Sequence, residues 1–209
     1  VPLRRAVIVQ ARMGSTRLPG KVLLDLAGRP MLAQQLRRLK RCRLVDEIVV
    51  ATTVDSADDP VRALAEAEGL RWYRGSADDV LSRYLGAARE ASADIVARVT
   101  ADCPLIDPDQ TDRVLRTLAE GGAALDYASN VIERTFPRGL DTEAMTFQTL
   151  ERLDRLASSA PAREHVTFFL LRERPDLCRV RSVTDADDNS DLRWTVDTAA
   201  DLEVVRRLY

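Results

Sequence analysis

Residues 6–21 read AVIVQARMGSTRLPGK, a short apolar run followed at once by a basic loop that contains glycine. The run AVIVQ is rich in β-branched residues and does not alternate polar with apolar positions, which predicts a strand buried on both faces. Three more runs of this kind lie at 47–52 (EIVVAT), 70–74 and 94–100 (DIVARVT). Helical patterns lie at 31–42, 60–69 (with Asp58 or Asp59 as the cap), 78–91 and 108–120.

Strands and helices therefore alternate, which predicts an α/β fold with a mostly parallel sheet flanked by helices. The pattern changes at residue 125, because segments 125–130 and 140–147 have strand character without a long helix between them. They predict an antiparallel or mixed extension of the sheet. The remaining predicted elements are helices at 147–158, 162–174 and 199–208 and strands at 179–183 and 193–196.

Composition limits the classes of function. The formal net charge of -2 and a pI near 5.6 argue against a nucleic-acid partner. No apolar run approaches the roughly 18 residues of a membrane span, and no targeting segment is recognisable, so we expect a cytoplasmic protein without a membrane partner. With three scattered cysteines and one histidine, any metal should be held by carboxylates, which indicates Mg²⁺ or Mn²⁺.

The loop after the first strand, residues 11–21, concentrates Arg12, Arg17 and Lys21 with two glycines and two hydroxyl groups. Pro19-Gly20 is the pair that a type II turn prefers at its centre. Such a loop can direct backbone N–H groups at a polyanion while its cations neutralise charge. The spacing is neither that of a Walker A loop nor that of a dinucleotide fingerprint. We predict a phosphate-binding loop; isolated solvated arginines are the alternative.

Residues 10–23, QARMGSTRLPGKVL, resemble the opening motif of cytidylyltransferases that make CMP-activated acidic sugars. Five further motifs follow in the family's order, namely RGSADDVLSRY at 74–84, TADCPLID at 100–107, TFPRGLD at 135–141, REHVT at 163–167 and WTVDT at 194–198. The chain is most similar to the spore coat polysaccharide cytidylyltransferase-like family, which is related to the KDO and acylneuraminate cytidylyltransferases. The resemblance spans nearly the whole chain.

The resemblance implies a Rossmann-like nucleotide-diphospho-sugar transferase fold in one domain, 1–209. Residues 1–124 would bind the nucleotide, 125–190 the acceptor and a dimer partner, and 191–209 would return a metal ligand and the last helix. It implies CTP as donor, Mg²⁺ (or Mn²⁺) as cofactor, pyrophosphate as product, a small acidic or amino sugar as acceptor, and a homodimer. Ala101 replaces the family's usual glycine, so its φ must be negative.

By similarity, Asp102 and Asp197 are the metal ligands, and Arg12 and Lys21 bind the β- and γ-phosphates. The carboxyl ends of the strands before the two aspartates should meet at the edge of the sheet that carries the basic loop. Other roles are possible for these side chains. Asp102 would instead cap a turn, Asp197 would share the cap of the last helix with Thr198, and Arg17 would support the loop or hold the acceptor. Asp107 is predicted to cap its own helix.

The other predicted contacts divide between nucleotide and acceptor. The nucleotide set comprises Gln10, Ala11, Arg12, Gly14, Ser15, Thr16, Arg17, Lys21, Arg74, Ser76 and Asp79, with the last three and Ala11 near cytosine or ribose. The acceptor set comprises Arg138, Asp141, Glu143 and His165. Asp78 has the alternative of a helix cap, Asp141 and Glu143 that of a solvated strand face, and His165, placed at a helix start, that of a structural hydrogen bond. No general base is assigned.

Two other functions compete. A GT-A glycosyltransferase has a similar sheet and a carboxylate-bound metal, but it uses an NDP-sugar and needs no triphosphate clamp, so the three cations of the loop argue against it. A nucleotide-binding protein without turnover would keep the fold and lose catalytic groups, whereas Arg12, Lys21, Asp102 and Asp197 are all present.

Overall fold

The computed structural model describes residues 3–209. In this range the chain forms nine strands, β1 to β9, at Arg5–Gln10, Asp25–Leu26, Arg29–Pro30, Glu47–Thr53, Arg71–Gly75, Ile95–Thr100, Tyr127–Ser129, Glu143–Thr146 and Val180–Ser182. The α-helices, α1 to α7, are Met31–Leu39, Asp59–Ala67, Val80–Glu90, Pro108–Gly121, Phe147–Leu156, Ala160–Glu164 and Ala199–Leu208. Short 3₁₀ turns and a π-helix at Phe169–Glu173 connect them.

Seven strands form one mixed sheet in the order β5-β4-β1-β6-β8-β7-β9. Strands β5, β4, β1 and β6 are mutually parallel, and β8 is antiparallel to both of its neighbours. This confirms the predicted α/β class and the mixed extension after residue 125. The chain leaves β1 toward β4 and returns on the other side at β6, so the strand order switches there. Ligands bind at the carboxyl ends of strands beside such a switch.

Two apolar layers, one on each face of the sheet, form most of the core. Helix α3 covers one face, where Leu81 and Tyr84 are buried against Ile8 of β1. Helices α1 and α4 cover the other face, where Leu36 and Leu115 are packed with the alternate residues of the same strands. The strands carry apolar residues on both faces because both are covered, which is why they lack polar alternation.

Two predicted elements and one predicted helix cap differ from the structure. Residues 193–196 form no ladder; Arg193 makes a single isolated bridge with Arg138. The predicted helix 162–174 is broken, because α6 ends at Glu164 and Val166 has a φ of +21° before the π-helix begins. Neither carboxylate near the start of α2 caps it, since the cap residue Asp58 makes no capping side-chain bond. The other helices and strands match the prediction within a few residues at their ends.

Within residues 3–209, none of the helices combines the length and the apolar character needed to cross a bilayer.

Candidate functional site

The basic loop after β1 is a compact hairpin. Lys21 N donates to Leu18 O at 3.2 Å, and Gly20 has φ 67° and ψ 13°, so the predicted type II turn at Pro19-Gly20 is confirmed. Gly20 N also donates to Met13 O at 3.0 Å, which draws the end of the loop back onto its beginning. Gly14 faces open space and has no positive φ, so no close backbone approach requires it here.

The hairpin forms one wall of a cleft of about 320 Å³, called here the first cleft. Its lining combines the loop with the ends of β1 and β6: Gln10, Arg12, Gly14, Ser15, Thr16, Arg17, Lys21, Val22, Thr100, Ala101 and Asp102. The structure therefore brings together most of the predicted nucleotide set with one predicted metal ligand. Ala101 has no positive φ, which confirms that its methyl group is tolerated in this loop.

Lys21 connects this cleft to the far end of the sequence. Its Nζ donates to Asp197 Oδ1 at 2.9 Å and to Val196 O at 2.7 Å. Val196 N in turn donates to Asp102 O at 2.8 Å. These bonds hold the segment that carries Asp197 beside the Asp102 turn, so both predicted metal ligands lie at the same edge of the sheet as Lys21.

The Asp197 carboxylate is not used as a helix cap. Thr198 caps α7 in a reciprocal capping box with Asp201, which leaves the neighbouring carboxylate free to face cations. Arg17 Nη2 lies 3.0 Å from Asp197 Oδ1, and Arg193 Nη2 lies 2.6 Å from its Oδ2. Partial burial would raise the pKa of Asp197, but the Lys21 hydrogen bond and the three positive charges outweigh it and lower the pKa below 3.8. The carboxylate is thus ionised at neutral pH.

Asp102 lies in the turn after β6. Thr100 Oγ1 donates to its Oδ1 at 2.5 Å, and the Cys103 thiol is 3.5 Å from the same oxygen. Complete burial raises the pKa of the Cys103 thiol well above 9.0, as does the nearby Asp102 charge, so the thiol stays protonated. The second carboxylate oxygen of Asp102 makes no hydrogen bond among the described residues.

The side chains predicted to contact the base, Arg74, Ser76 and Asp79, have different hydrogen-bond partners in the structure. Arg74 does not line the first cleft, and its guanidinium donates to Thr53 O, Asp59 Oδ1 and Asp55 O. Ser76 Oγ accepts from Asp79 N at 3.0 Å and so shapes the turn before α3.

Asp79, and not Asp78, caps α3, because its Oδ1 accepts from Ser82 N at 2.9 Å. Arg163 also donates to both carboxylate oxygens of Asp79, at 3.0 and 2.6 Å. A smaller cleft of about 300 Å³ lies beside this pair and is lined by Arg12, Ala77, Asp78, Asp79, Ala160, Arg163 and Glu164. Asp79 therefore faces a cavity, but its carboxylate already has strong partners.

A second cleft of about 470 Å³ adjoins the first and shares Thr100 with it. Its lining contains all four predicted acceptor residues, and the full set is Arg98, Thr100, Val131, Arg134, Arg138, Asp141, Glu143, His165, Thr167, Phe168, Leu171 and Arg172. Asp141 is paired with Arg134 through two bonds of 2.7 and 2.9 Å. Arg138 and Arg172 form no ion pair within residues 3–209.

Glu143 is only 6% exposed, so the alternative of a solvated strand face is wrong for this residue. Its carboxylate forms an ion pair with Arg98 and accepts from Tyr127 Oη and Thr167 Oγ1, both at 2.7 Å. Burial would raise the pKa of Glu143, but these partners outweigh it and lower the pKa below 4.5. Glu143 thus forms the charged floor of the second cleft and holds Arg98 and Thr167 in place.

His165 does not begin a helix. It is the C-terminal cap residue of α6, and its exposed ring lines the second cleft. Arg138 lines this cleft and also a shallow groove that it shares with Asp141, Arg193, Thr195 and Asp197. Arg138 therefore lies between the predicted acceptor residues and a predicted metal ligand.

Several site residues were missed by the sequence prediction. Arg98 is the one that had a signal, because a charged residue inside the otherwise buried strand DIVARVT needs a partner or a ligand. Arg134, Arg172 and Arg193 lie in polar or charged stretches of the sequence that offered no such contrast. Asp58 was interpreted as a helix cap, whereas its carboxylate accepts a hydrogen bond from Met13 N in the basic loop.

Comparison with known proteins identifies the family of the chain. Residues 6–203 match the cytidylyltransferase family. The spore coat polysaccharide biosynthesis protein SpsF of Bacillus subtilis is 32% identical over 97% of this chain and 85% of its own. A 3-deoxy-manno-octulosonate cytidylyltransferase of Anaeromyxobacter dehalogenans is 39% identical, but over only 62% of this chain and 55% of its own.

Among solved structures, a cytidylyltransferase from Leptospira borgpetersenii has a TM-score of 0.94 and 35% identity, and the match covers 98% of this chain and 86% of that one. The predicted nucleotidyltransferase fold is therefore correct. The family match favours a CTP-dependent enzyme over the two competing functions, an NDP-sugar glycosyltransferase and a binding protein without turnover. The chain belongs to the cytidylyltransferase family and is a CTP-dependent nucleotidyltransferase.

Proposed function

We propose that this protein transfers CMP from CTP to a small anionic sugar or sugar-like acid and releases pyrophosphate, with Mg²⁺ (or Mn²⁺) bound between Asp102 and Asp197. The observation that carries the proposal is the contact of the two clefts at Thr100. The first cleft offers cations for a triphosphate, and the second offers polar groups for an acceptor. A phosphorus atom held near Thr100 would face both.

The proposed binding of the triphosphate rests on the positive charge of the first cleft. Arg12, Arg17 and Lys21 line the first cleft, and all three side chains belong to one hairpin that a type II turn closes. A hairpin fixed in this way places its cations before the substrate arrives, so little ordering remains to be done on binding. Transfer at the α-phosphate then requires the pyrophosphate to leave along this basic wall.

The donor atoms suit a hard cation. Within residues 3–209, no group of three or more His, Cys, Asp or Glu side chains is arranged to hold a metal ion. Two carboxylates with nucleotide phosphates and water are the usual Mg²⁺ environment, and Asp102 and Asp197 fit it. Bound there, Mg²⁺ would neutralise phosphate charge in the transfer. Arg17 is 60% exposed at its side chain and can leave Asp197 when a phosphate offers it a new partner.

The proposed binding of an anionic acceptor rests on unpaired positive charge in the second cleft. The carboxylates of the second cleft, Asp141 and Glu143, already have the arginine partners Arg134 and Arg98. Arg138 and Arg172, which form no ion pair among the described residues, are left to bind an anionic group such as a carboxylate or phosphate. The names of the relatives are consistent with this, since one acts in polysaccharide biosynthesis and another on 3-deoxy-manno-octulosonate.

The test is a pyrophosphate-release screen of the four NTPs against acidic sugars, amino sugars and sugar phosphates, with and without Mg²⁺. We expect release with CTP, Mg²⁺ and an acceptor that carries an anionic group. Release only with sugars that lack an anionic group, or full activity after EDTA treatment, would contradict the proposal. Our expectations of a homodimer and of a cytoplasmic location are carried from the resemblance and from the sequence; sedimentation analysis would test the first.

A further inference from the structure

Asp58 is a buried carboxylate that lies beside the phosphate-binding hairpin without lining the cleft. It follows β4 at the carboxyl edge of the sheet and is 4% exposed. Met13 N donates to its Oδ1 at 2.6 Å, and Thr53 Oγ1 donates to its Oδ2. Both carboxylate oxygens are therefore occupied by partners from different segments, one at the end of a core strand and one in the hairpin. The carboxylate joins the hairpin to the sheet.

The Met13 peptide group is the point where this connection reaches the hairpin. Its N–H is held by Asp58, and its carbonyl oxygen accepts from Gly20 N at 3.0 Å. The start and the end of the loop therefore meet at one residue. Lys21 follows Gly20 directly and donates to Asp197. Two hydrogen bonds therefore connect Asp58 to the residue before Lys21. The position of Asp58 thus helps to fix the position of the Lys21 ammonium, which faces the predicted metal ligand Asp197.

The side chain of Asp58 has no other structural task that accounts for its burial. It makes no capping bond to α2, although it occupies the cap position. A buried carboxylate is costly unless its oxygens accept hydrogen bonds, and those bonds run to the hairpin and to Thr53. Arg74 donates to Thr53 O at 2.7 Å, so the anchoring strand end is itself braced.

We propose that Asp58 is a positioning residue for the triphosphate loop, and that it sets the CTP affinity through Met13 and Gly20 without touching the nucleotide. The inference rests on the proposed function, because it assumes that the hairpin binds the CTP phosphates. Misplacement of a binding group by about 1 Å can reduce a rate on the order of 100-fold, so the effect should be measurable.

The chain offers a matched control in Asp112. This aspartate is 3% exposed and accepts two backbone N–H bonds, from Arg43 at 2.7 Å and from Leu44 at 3.0 Å. Its location differs from that of Asp58, because its two bonds hold the loop before β4, at the opposite edge of the sheet. Asp58→Ala and Asp112→Ala therefore remove comparable buried bonds, one at the site edge and one far from it.

The experiment measures CTP binding by calorimetry and, with an active acceptor, KM and kcat for each variant. We expect Asp58→Ala to weaken CTP binding and raise the CTP KM by about 10- to 100-fold, with the acceptor KM unchanged. Asp112→Ala should lower the melting temperature and leave the CTP KM at the wild-type value. Asp58→Asn should keep most of the wild-type affinity, because its amide can accept from Met13 N and donate to Thr53 Oγ1.

Two results would overturn the positioning role: an unchanged CTP affinity in Asp58→Ala, or an equal loss in Asp58→Ala and Asp58→Asn. If Asp58→Ala does not fold, Thr53→Val removes one of the two bonds at similar volume and should give a smaller rise in the CTP KM; no rise would count against the role. Calorimetry separates this inference from the proposed function. Absence of pyrophosphate release by the wild type would contradict only the latter.

Discussion

Replacing Lys21 with methionine would remove the ammonium group that joins the hairpin to Asp197 while keeping most of the side-chain volume. The Lys21 side chain is only 13% exposed, and its Nζ makes two hydrogen bonds, to Asp197 Oδ1 at 2.9 Å and to Val196 O at 2.7 Å. A hydrogen bond to a charged group contributes about 1.5–3 kcal/mol net. If bound CTP receives one bond of this kind, its loss corresponds to a roughly 10- to 100-fold rise in the CTP KM.

The same substitution should alter the pH profile. Lys21 is the strongest of the groups that lower the pKa of Asp197, so its removal raises that pKa. An Asp197 that binds metal must be ionised, and activity is lost as the pH falls through its pKa. The acid limb of kcat/KM should therefore move to higher pH in Lys21→Met.

The assay is pyrophosphate release against CTP concentration at saturating Mg²⁺, with Lys40→Met as the control. Lys40 has the same donor pattern, because its Nζ bonds one carboxylate oxygen and the carbonyl of Glu68 at 2.9 and 2.8 Å. It lies on the surface near the end of α1. A wild-type CTP KM and an unmoved acid limb in Lys21→Met would refute the assignment of Lys21 to the phosphates.

Three further substitutions test other parts of the site. Asp102→Asn should reduce kcat by about 10²- to 10³-fold and weaken the dependence on Mg²⁺, with an unchanged melting temperature. Glu143→Ala should lower the free energy of unfolding by about 3 kcal/mol, the lower end of the range for breaking a buried pair, in urea titration at pH 7, because it leaves the largely buried Arg98, 16% exposed at its side chain, without its partner. Since the pKa of Glu143 lies below 4.5, this difference should shrink as the pH falls below about 4.5. Gly139→Ala should lower the melting temperature by roughly 2–12 °C and reduce turnover. Gly139 has a φ of 111°, and a Cβ there would lie 2.8 Å from the carbonyl carbon of Trp194, in the segment that carries Asp197.

For each of these three substitutions, a specific result would contradict the prediction. Turnover by Asp102→Asn at the wild-type Mg²⁺ requirement would remove that carboxylate from the metal site. A Glu143→Ala protein as stable as the wild type would show that Arg98 finds water or another acceptor. Full activity in Gly139→Ala would show that the 194–197 segment can shift without moving Asp197.

The parts of the fold that follow from local rules could be predicted. Pro19-Gly20 fixes its own turn because proline sets φ and glycine accepts a positive φ. Asp107 caps α4 through bonds to Asp109 N and Gln110 N, as its position before proline predicts. The buried strands were recognisable because both faces of the sheet are covered, so that β-branched residues run without interruption.

The parts of the fold that depend on partners distant in the sequence could not be predicted from the sequence. Residues 193–196 have strand composition, yet Trp194 N bonds Arg138 O and Val196 N bonds Asp102 O, so no single neighbour can form a ladder with them. Glu143 looks like one member of a polar pair in the sequence. Its burial is decided by Arg98, Tyr127 and Thr167, which only the three-dimensional structure brings together. The roles of the site residues stay predictions, although most of those residues share two adjoining clefts.

The contact between Lys21 and Asp197 joins residues 176 positions apart. During synthesis, the sheet strands β1, β4 and β6 and the whole basic hairpin leave the ribosome long before residue 197 does. Until then the hairpin has no counter-charge from this aspartate, and any product that ends before residue 197 would carry the basic loop without one of the two proposed metal ligands.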